Sequence, residues 1–447
     1  MSMNHDYRSI RTSTKWKKAV KTPLFLLFHV MLAAVIGFLA LWSVYSLPTA
    51  SIDKNVKASS SVFSNEGTFP NLFKWCTSKL DNFTDAVMLL EASNDYEADS
   101  MQKAMLNYRG SIDDKTPCDT LIAHYENGVE FTEHVTYPRY WHGYLIWLKP
   151  LLLVFNYKTI RVINGILQII VVIWICFNLW EKENSKFILP IALTYGMLMP
   201  VALSYSLQFS SCFFIVALSI LLLLYTSKNK AHYVFLYAGV LTAYFDLLTY
   251  PIAAFGIPAV MYLALYNKDG LQKKLVKLFA LGACWGFGYI GMWSLKWLIG
   301  GIITGVNVLE DAQAAIRFRI SRSYNGTSYS LSSCLHTCFA LFTKTPCTYL
   351  VCLYCLWKAF VIGKDWRKNR AAIKDCLSLC LPFVLVAFLP LAWYAVTLNH
   401  STIHAFFTNK ALSVSALALM MLFANIACLK KSTSARNDIE TARTRSR

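Results

Sequence analysis

The sequence contains five apolar runs that are long enough to cross a membrane as helices. The hydrocarbon layer of a bilayer is roughly 30 Å thick and needs about 20 apolar residues per helix. With 56% hydrophobic and only 15% charged residues, the chain would expose much apolar surface if it folded in water. The composition therefore predicts an all-α polytopic membrane protein. The five runs are 23–47, 159–180, 277–300, 375–396 and 411–429. Shorter or interrupted runs that we also interpret as spans are 187–205, 208–226, 231–248, 250–267 and 346–363.

The first run follows a basic segment, residues 1–22, with six Lys and Arg residues between Arg8 and Lys21. A cleaved signal peptide has a shorter apolar core and a small-residue cleavage site. We interpret the run as a retained signal anchor whose N-terminus stays in the cytoplasm, because basic residues collect on the cytoplasmic side of spans.

Residues 141–157 decide the topology of everything that follows. If this stretch lies on the membrane surface, the later basic connections fall in the cytoplasm. The loops near 203–209 and 248–251, which contain no Lys or Arg, then fall outside. Lys149 and Pro150 in mid-stretch also suit an interfacial helix better than a span. We predict about ten spans with both termini in the cytoplasm, in the plasma (inner) membrane.

This topology divides the chain into membrane spans and the segments between them. We expect the first extracytoplasmic segment to be mainly helical. That part contains 14 of the 25 acidic residues. In chain order, the parts are the cytoplasmic N-terminus 1–22, the first span 23–47, an extracytoplasmic domain 48–158 with the interfacial helix 141–157, spans 2–7 in 159–300, a second extracytoplasmic loop 301–345, spans 8–10 in 346–429 with an outer loop 397–410, and a basic cytoplasmic tail 430–447.

Charge and motifs exclude several function classes. The net charge of +18 follows the sides of the membrane instead of forming a basic domain, which argues against nucleic acid as a partner. The sequence has no Walker A loop, no GxSxG and no dinucleotide fingerprint after a strand. Most of the 13 cysteines lie in apolar runs, where Cys behaves as a small hydrophobe. Whether Cys76 and Cys118 in the polar domain form a disulfide stays open.

Two carboxylates, Asp81 and Asp85, stand four residues apart in a segment that predicts an amphipathic helix. On one face of a helix they can share the role of a base or hold a divalent metal. An ordinary solvated acidic face is the alternative.

Cationic groups concentrate at two places on the predicted outer side. Residues 136–143 combine Arg139 and His142 with aromatics, which suits either a lipid phosphate or simple anchoring at the interface. Lys296 and the Arg-rich segment 316–322 run against the topological charge bias, so either an anionic ligand or pairing with the acidic domain explains them. The candidate phosphate-binding residues are Arg139, His142, Lys296, Arg317, Arg319 and Arg322.

Three further polar residues are candidates for headgroup or acceptor contact. His400 and His404 stand four apart in the last outer loop, but no third metal ligand and no HExxH accompany them. We therefore prefer hydrogen bonding to a headgroup over zinc. Asp246 lies near the outer end of a predicted span and is expected to face a cavity or a partner, because a charge in the bilayer is costly.

The order of these features resembles the GT-C class of membrane glycosyltransferases, which includes the protein O-mannosyltransferases and the lipid A aminoarabinose transferase. Those enzymes have a first span, a large outer loop with an acidic residue near its start, a surface helix after a His/Pro/aromatic motif, and a second span that begins at Arg. The corresponding features here are Asp85, the segment 137–158 and Arg161. The likeness is clearest over roughly 23–270. The chain lacks an adjacent Asp-Glu pair, and it has Tyr-Pro-Arg-Tyr-Trp-His where relatives have His-Pro-Pro.

The resemblance implies a GT-C-like fold and an inverting transfer of a sugar from a polyprenyl-phosphate donor to an extracytoplasmic glycan, lipid or protein. It implies Asp85 as the base, Asp81 as its fallback or metal-binding partner, and the cationic residues as phosphate ligands. A polyprenyl phosphate leaves as a stable anion, so one carboxylate is enough, whereas glycoside hydrolysis needs two. The implied partners are the bilayer and the lipid-linked sugar, and a divalent metal stays open as cofactor.

Other functions fit parts of the same pattern. A transporter or flippase of lipid-linked sugars also uses outer cations, although no internal repeat relates the two halves of this chain. A polysaccharide polymerase or ligase also combines long outer loops with Arg-rich segments. A non-enzymatic scaffold has no need of the cationic residues.

Overall fold

The computed structural model of the protein describes residues 3–266, 269–366 and 373–426, and nearly all regular structure within them is helical. This confirms the mainly helical fold. The predicted cytoplasmic tail, 430–447, lies outside the described residues.

The first helix joins the basic N-terminus to the first apolar run without a break, and a small domain of short helices follows it. A two-stranded antiparallel sheet, in which Gly110 pairs with His134, belongs to this domain. The elements are α1 (Met3–Tyr45), α2 (Thr49–Lys57), α3 (Ser60–Glu66), α4 (Asn82–Ser93), α5 (Ser100–Leu106), β1 (Arg109–Ser111), α6 (Pro117–Asn127), β2 (Glu133–Val135) and α7 (Leu145–Leu152).

The rest of the chain alternates long apolar helices with short connections, among them the two-stranded hairpin of β3 and β4. The elements are α8 (Tyr157–Glu181), α9 (Ile188–Met197), α10 (Pro200–Tyr205), α11 (Leu207–Tyr225), α12 (Ala231–Phe245), α13 (Ala253–Leu265), α14 (Leu271–Thr304), α15 (Val308–Ile320), β3 (Ser323–Tyr324), β4 (Thr327–Ser328), α16 (Leu331–Thr343), α17 (Pro346–Trp366), α18 (Ile373–Ala387), α19 (Leu389–Val396), α20 (Leu398–Ile403), α21 (Ala405–Thr408) and α22 (413–426).

Within the described residues, seven helical segments are long and apolar enough to cross a membrane. The predicted spans 187–205, 231–248 and 250–267 are not among them. The first is divided into α9 and α10 at Met199, whose φ of 58° lies in the left-handed region, and the others form the shorter helices α12 and α13. The count of ten spans therefore stays a prediction. The seven segments are Pro23–Tyr45, Tyr157–Glu181, Leu207–Tyr225, Leu271–Thr304, Pro346–Lys364, Ser378–Val396 and Ala405–Ile426.

The helix predicted over 141–157 is shorter in the structure, where α7 spans only Leu145–Leu152. Eight residues of helix rise about 12 Å, well under the thickness of the hydrocarbon layer. The chain enters α7 through a turn in which His142 has a φ of 53°.

Two apolar cores hold the helices together. One lies among α9, α11, α13, α16 and the helices from α18 to α22, and the other joins the domain of short helices that follows α1 to α1, α12 and α14. Side chains on the opposite faces of the long helices stay exposed; Phe279 of α14 and Tyr349 of α17, for example, are 81% and 75% exposed. Such apolar outward faces suit lipid as the surrounding solvent.

Cys76 and Cys118 are both buried and unpaired in the structure. Cys76 packs in a small apolar cluster with Leu80, Met199 and Ala202. The disulfide that the sequence left open is therefore not formed here.

Candidate functional site

Helix α4 begins at the predicted acidic pair, and Asp81 caps it. The Oδ1 atom of Asp81 accepts a hydrogen bond from the backbone N–H of Thr84 at 3.1 Å, a donor without a partner inside the helix. Its Oδ2 atom accepts from the Thr84 hydroxyl at 3.0 Å and from the side-chain amide of Gln208. Burial raises the pKa of Asp81 to about 6.

Asp85 lies one turn further along α4 and is 0% exposed. Its Oδ2 accepts from the Tyr157 hydroxyl and from the backbone N–H of Leu207 at 2.9 Å, and its Oδ1 from the N–H of Gln208 at 3.4 Å. Leu207 and Gln208 begin α11, so this carboxylate caps a helix far away in sequence. Burial raises the pKa of Asp85 to about 7, against the smaller lowering effects of Tyr157 and Arg161.

Arg161, Glu66 and Asn82 surround the acidic pair. The guanidinium of Arg161 donates to Glu66 Oε1 at 2.7 Å and to Asn82 Oδ1 at 2.8 Å, and it stacks over the Tyr157 ring at 4.2 Å. Sequence reasoning did not find Glu66 or Asn82 as partners. The available signal was Arg161 itself, because a charge at the start of a span needs a counterion.

His142 lies in a buried polar network instead of facing a cavity. Its Nδ1 lies 2.9 Å from Glu91 Oε2, and its Nε2 lies 2.9 Å from the carbonyl oxygen of Tyr137. Both ring nitrogens thus lie within hydrogen-bond distance of oxygen atoms, and Nδ1 also lies 2.7 Å from the Tyr144 hydroxyl. The Tyr144 hydroxyl also donates to Glu91, at 2.5 Å. The sequence analysis missed Glu91, a single carboxylate in an apolar stretch.

Lys296 is 0% exposed, and its ammonium group is saturated by oxygen acceptors. It donates to the carbonyl oxygens of Ala104 and Met105 at 3.3 and 2.9 Å and to the side chain of Asn107 at 3.1 Å. These acceptors lie at the C-terminal end of α5, so Lys296 neutralises a helix terminus.

An apolar groove of about 390 Å³ lies between α14 and α15, with α19 and the turn after α12 at its end. Ile290 and Ile320 at its edge are 66% and 49% exposed, so the groove opens onto the exposed apolar surface of the molecule. Its charged lining residues are Arg139 and Arg319. The remaining lining residues are Tyr140, Leu248, Tyr289, Ile290, Trp293, Trp297, Ala312, Ala315, Ile316, Ile320, Trp393 and Thr397.

Each arginine of the groove has a partner that orients it. Arg139 Nη1 lies 3.0 and 3.2 Å from the two carboxylate oxygens of Asp311 on α15. Arg319 donates to Nδ1 of His400, whose Nε2 donates to the carbonyl of Leu248 at 2.7 Å. This geometry requires a neutral His400, and burial together with the charge of Arg319 holds its pKa well below the usual value. The same causes lower the pKa of neighbouring His404 to about 4.

The other predicted residues lie apart from the groove lining. Arg317 and Arg322 are exposed on and just after α15. Asp246 is buried and accepts from the backbone N–H of Thr249 at 3.0 Å and from the Thr249 hydroxyl. It therefore shapes the turn that presents Leu248 to the groove.

The structure thus distributes the predicted site over separate places. Arg139 and Arg319 meet at the groove, whereas the cation beside Asp85 is Arg161, which was not predicted as a phosphate ligand. In the described ranges, no group of three or more His, Cys, Asp or Glu residues is arranged to hold a metal ion.

The fold and these sites define a helical, multi-pass membrane protein with a lateral apolar groove. The chain matches no family model, and the comparisons with curated proteins and with solved structures found no match.

Proposed function

We propose that this protein is a membrane glycosyltransferase that moves a sugar from a polyprenyl-phosphate donor to an acceptor outside the cytoplasm. The proposal includes ten spans and a GT-C-like arrangement. One observation carries it: a groove with aromatic and aliphatic walls opens on the apolar surface of the molecule and has two arginines in its lining.

The groove suits a lipid with a long apolar tail and a phosphate head. Trp293, Trp297 and Trp393 offer flat apolar surface to an isoprenoid chain. Arg139 and Arg319 offer planar donors that match phosphate oxygens in charge and geometry. A tail that stays partly in the bilayer needs a lateral opening of this kind, since full extraction of the lipid would be costly.

Asp85 is the proposed base, with Asp81 as its neighbour. A pKa near neutrality suits a group that takes a proton from an acceptor hydroxyl, because both of its protonation states are then accessible. The sugar carbon is inverted in one displacement: the acceptor oxygen forms the new bond as the bond to the phosphate oxygen breaks. The phosphate leaves as an anion that the arginines stabilise, and the hydroxyl proton passes to the carboxylate. Because Asp85 is buried apart from the groove lining, this step requires a rearrangement that brings the carboxylate and the bound donor together.

Substitution of Asp85 by Asn removes the proposed base but keeps the helix cap. Asn still offers an oxygen to the N–H groups of Leu207 and Gln208, but it cannot take a proton. With purified protein in vesicles and radiolabelled polyprenyl-phosphate sugars, we expect transfer or slow donor hydrolysis by wild type and loss by Asp85→Asn. Full transfer by a folded Asp85→Asn variant would exclude Asp85 as the base.

The groove is tested independently with Arg319→Gln, for which exposed Arg322→Gln is the matched control. We expect Arg319→Gln to raise the KM for the donor by about tenfold or more, as for loss of a charge-assisted hydrogen bond. Arg322→Gln should change it by less than about twofold. Equal effects of the two substitutions would argue against the groove as the donor site.

A transporter or flippase of lipid-linked sugars is the second candidate, and the burial of Asp85 favours it. Its carboxylate accepts three hydrogen bonds and is 0% exposed, so an acceptor reaches it only after a rearrangement. In the same vesicles a transporter would move the intact donor between leaflets without cleaving it.

A further inference from the structure

The ion pair between Arg139 and Asp311 lies at the mouth of the groove. Arg139 belongs to the segment before α7, and Asp311 belongs to the first half of α15. The pair bridges two walls of the groove, because Arg139 and the adjacent Ala312 both line it. One of the two arginines that line the groove is therefore already paired with a carboxylate of the same chain.

The Arg139 guanidinium retains donor capacity in this arrangement. Its Nη1 donates to both carboxylate oxygens of Asp311, while its Nε is buried without a hydrogen-bond partner. A buried N–H without an acceptor is unfavourable, and a phosphate offers more acceptor oxygens than a carboxylate does. The tyrosine rings of Tyr137 and Tyr140 flank the guanidinium, with ring centres 4.4 and 5.7 Å away, and keep it at the groove.

We propose that Asp311 is a built-in competitor of the lipid phosphate: it occupies Arg139 in the empty protein and is displaced when a phosphate-headed lipid binds. This inference rests on the proposed lipid site in the groove, but not on sugar transfer. Asp311 then sets the affinity of the site for lipid, and it neutralises Arg139 when no lipid is bound.

The structure makes this displacement easy. The side chains of Arg139 and Asp311 are 25% and 38% exposed, so water screens their attraction, and such pairs contribute little. Asp311 can rotate into water without leaving a buried charge behind. The end of α15 stays attached meanwhile, because Asn399 donates to Ser321 Oγ at 2.6 Å and to the Ser323 carbonyl at 2.9 Å. Release of Asp311 therefore does not require α15 to detach.

The test measures binding of decaprenyl phosphate to the purified full-length protein in nanodiscs, by quenching of tryptophan fluorescence. Asp311→Asn should bind about three to five times more tightly than wild type, the range expected for losing a partly exposed ion pair. Glu310→Gln removes the same charge from the neighbouring position and is the matched control. Its affinity for decaprenyl phosphate should differ from that of wild type by less than about twofold. Arg139→Gln should bind about tenfold or more weakly.

The double variant Asp311→Asn with Arg139→Gln identifies the mechanism. If Asp311 acts by competing for Arg139, its substitution has no effect once Arg139 is gone. Neutral decaprenol should bind wild type and Asp311→Asn equally, and inorganic phosphate should bind neither at lipid-like concentrations. Equal gains for Asp311→Asn and Glu310→Gln, weaker binding by Asp311→Asn, or no binding of decaprenyl phosphate to wild type would overturn the inference. Binding without any sugar transfer would leave it standing and count against the transferase alone.

Discussion

Among the described residues, most buried charged side chains contact the end of a helix. Lys296, Lys149 and Lys410 donate to carbonyl oxygens at or just beyond the C-termini of α5, α4 and α9, the last two at 2.7 and 3.0 Å. Asp85 accepts from N–H groups at the start of α11. Helix ends have unpaired backbone groups and partial charges of the opposite sign. Away from water, a charged side chain is an effective way to satisfy them.

The capping role of Lys296 predicts a clear loss of stability in Lys296→Met. The substitution leaves the carbonyls of Ala104 and Met105 and the Asn107 side chain without their donor, which costs about 1–3 kcal/mol. We expect a lower melting temperature in detergent, measured by thermal aggregation. Lys277→Met, near the other end of α14, is the control and should melt close to wild type. A Lys296→Met protein as stable as wild type would contradict the capping role.

The raised pKa of Asp85 predicts a pH dependence of stability. In the unfolded chain this carboxyl loses its proton near pH 3.8, but in the folded protein it keeps it up to about pH 7. Between these values the folded state binds more protons, so this contribution to stability is present at about pH 4 and is lost as the pH rises through 7. Asp81 contributes in the same direction up to about pH 6.

Melting temperatures measured between pH 4 and pH 8 test this dependence. The Asp85→Asn variant lacks the titrating group, so its melting temperature should fall less than that of wild type over this range. Part of the fall should persist, because Asp81 still titrates. Curves of equal slope for the two proteins would show that Asp85 does not titrate in this window.

At the level of elements, α12 and α14 pack with their backbones in contact, and two glycines make this possible. A Cβ atom on Gly239 would overlap the carbonyl oxygen of Trp285, and one on Gly288 would overlap that of Leu236. The two backbones therefore touch directly, as small residues allow in membrane helices. This contact positions the C-terminal half of α14, which carries Trp293 and one wall of the groove.

The helix contact predicts opposite outcomes for two neighbouring glycines of α14. Gly288→Ala should lower the melting temperature clearly, because the added methyl meets backbone that cannot move aside. Gly286→Ala meets nothing within 4 Å and removes a flexible residue from a helix, so it should be neutral or slightly stabilising. Thermal melting of both variants in the same detergent compares them. Equal melting temperatures for the two variants would contradict a backbone contact at Gly288.

At the scale of the whole molecule, the topology predicts which surfaces share a side of the membrane. Glu130 and Ser328 are exposed in the two large segments predicted to lie outside, and Glu181 and Asn229 are exposed in connections predicted to lie inside. Cysteine introduced at either of the first two positions should react with a membrane-impermeant maleimide added to intact cells. The last two should react only after permeabilisation, each measured against the unsubstituted chain. Labelling of Glu181→Cys in intact cells would overturn the ten-span arrangement.

The sequence by itself determined that lipid surrounds the apolar helices, that the fold is helical, and where the first and longest helices lie. The reason is that an apolar run of sufficient length can satisfy its backbone hydrogen bonds in lipid only as a helix. It also identified Asp81 and Asp85, whose spacing depends on neighbours in the chain. Tertiary structure alone decided the rest. The pairing of Arg161 with Glu66, of His142 with Glu91 and of Arg139 with Asp311 joins residues far apart in the chain. The same holds for Lys296, predicted as a phosphate ligand but bound to the end of α5. No local pattern encodes such contacts, since they form only where packed helices bring the end of one element against the side of another.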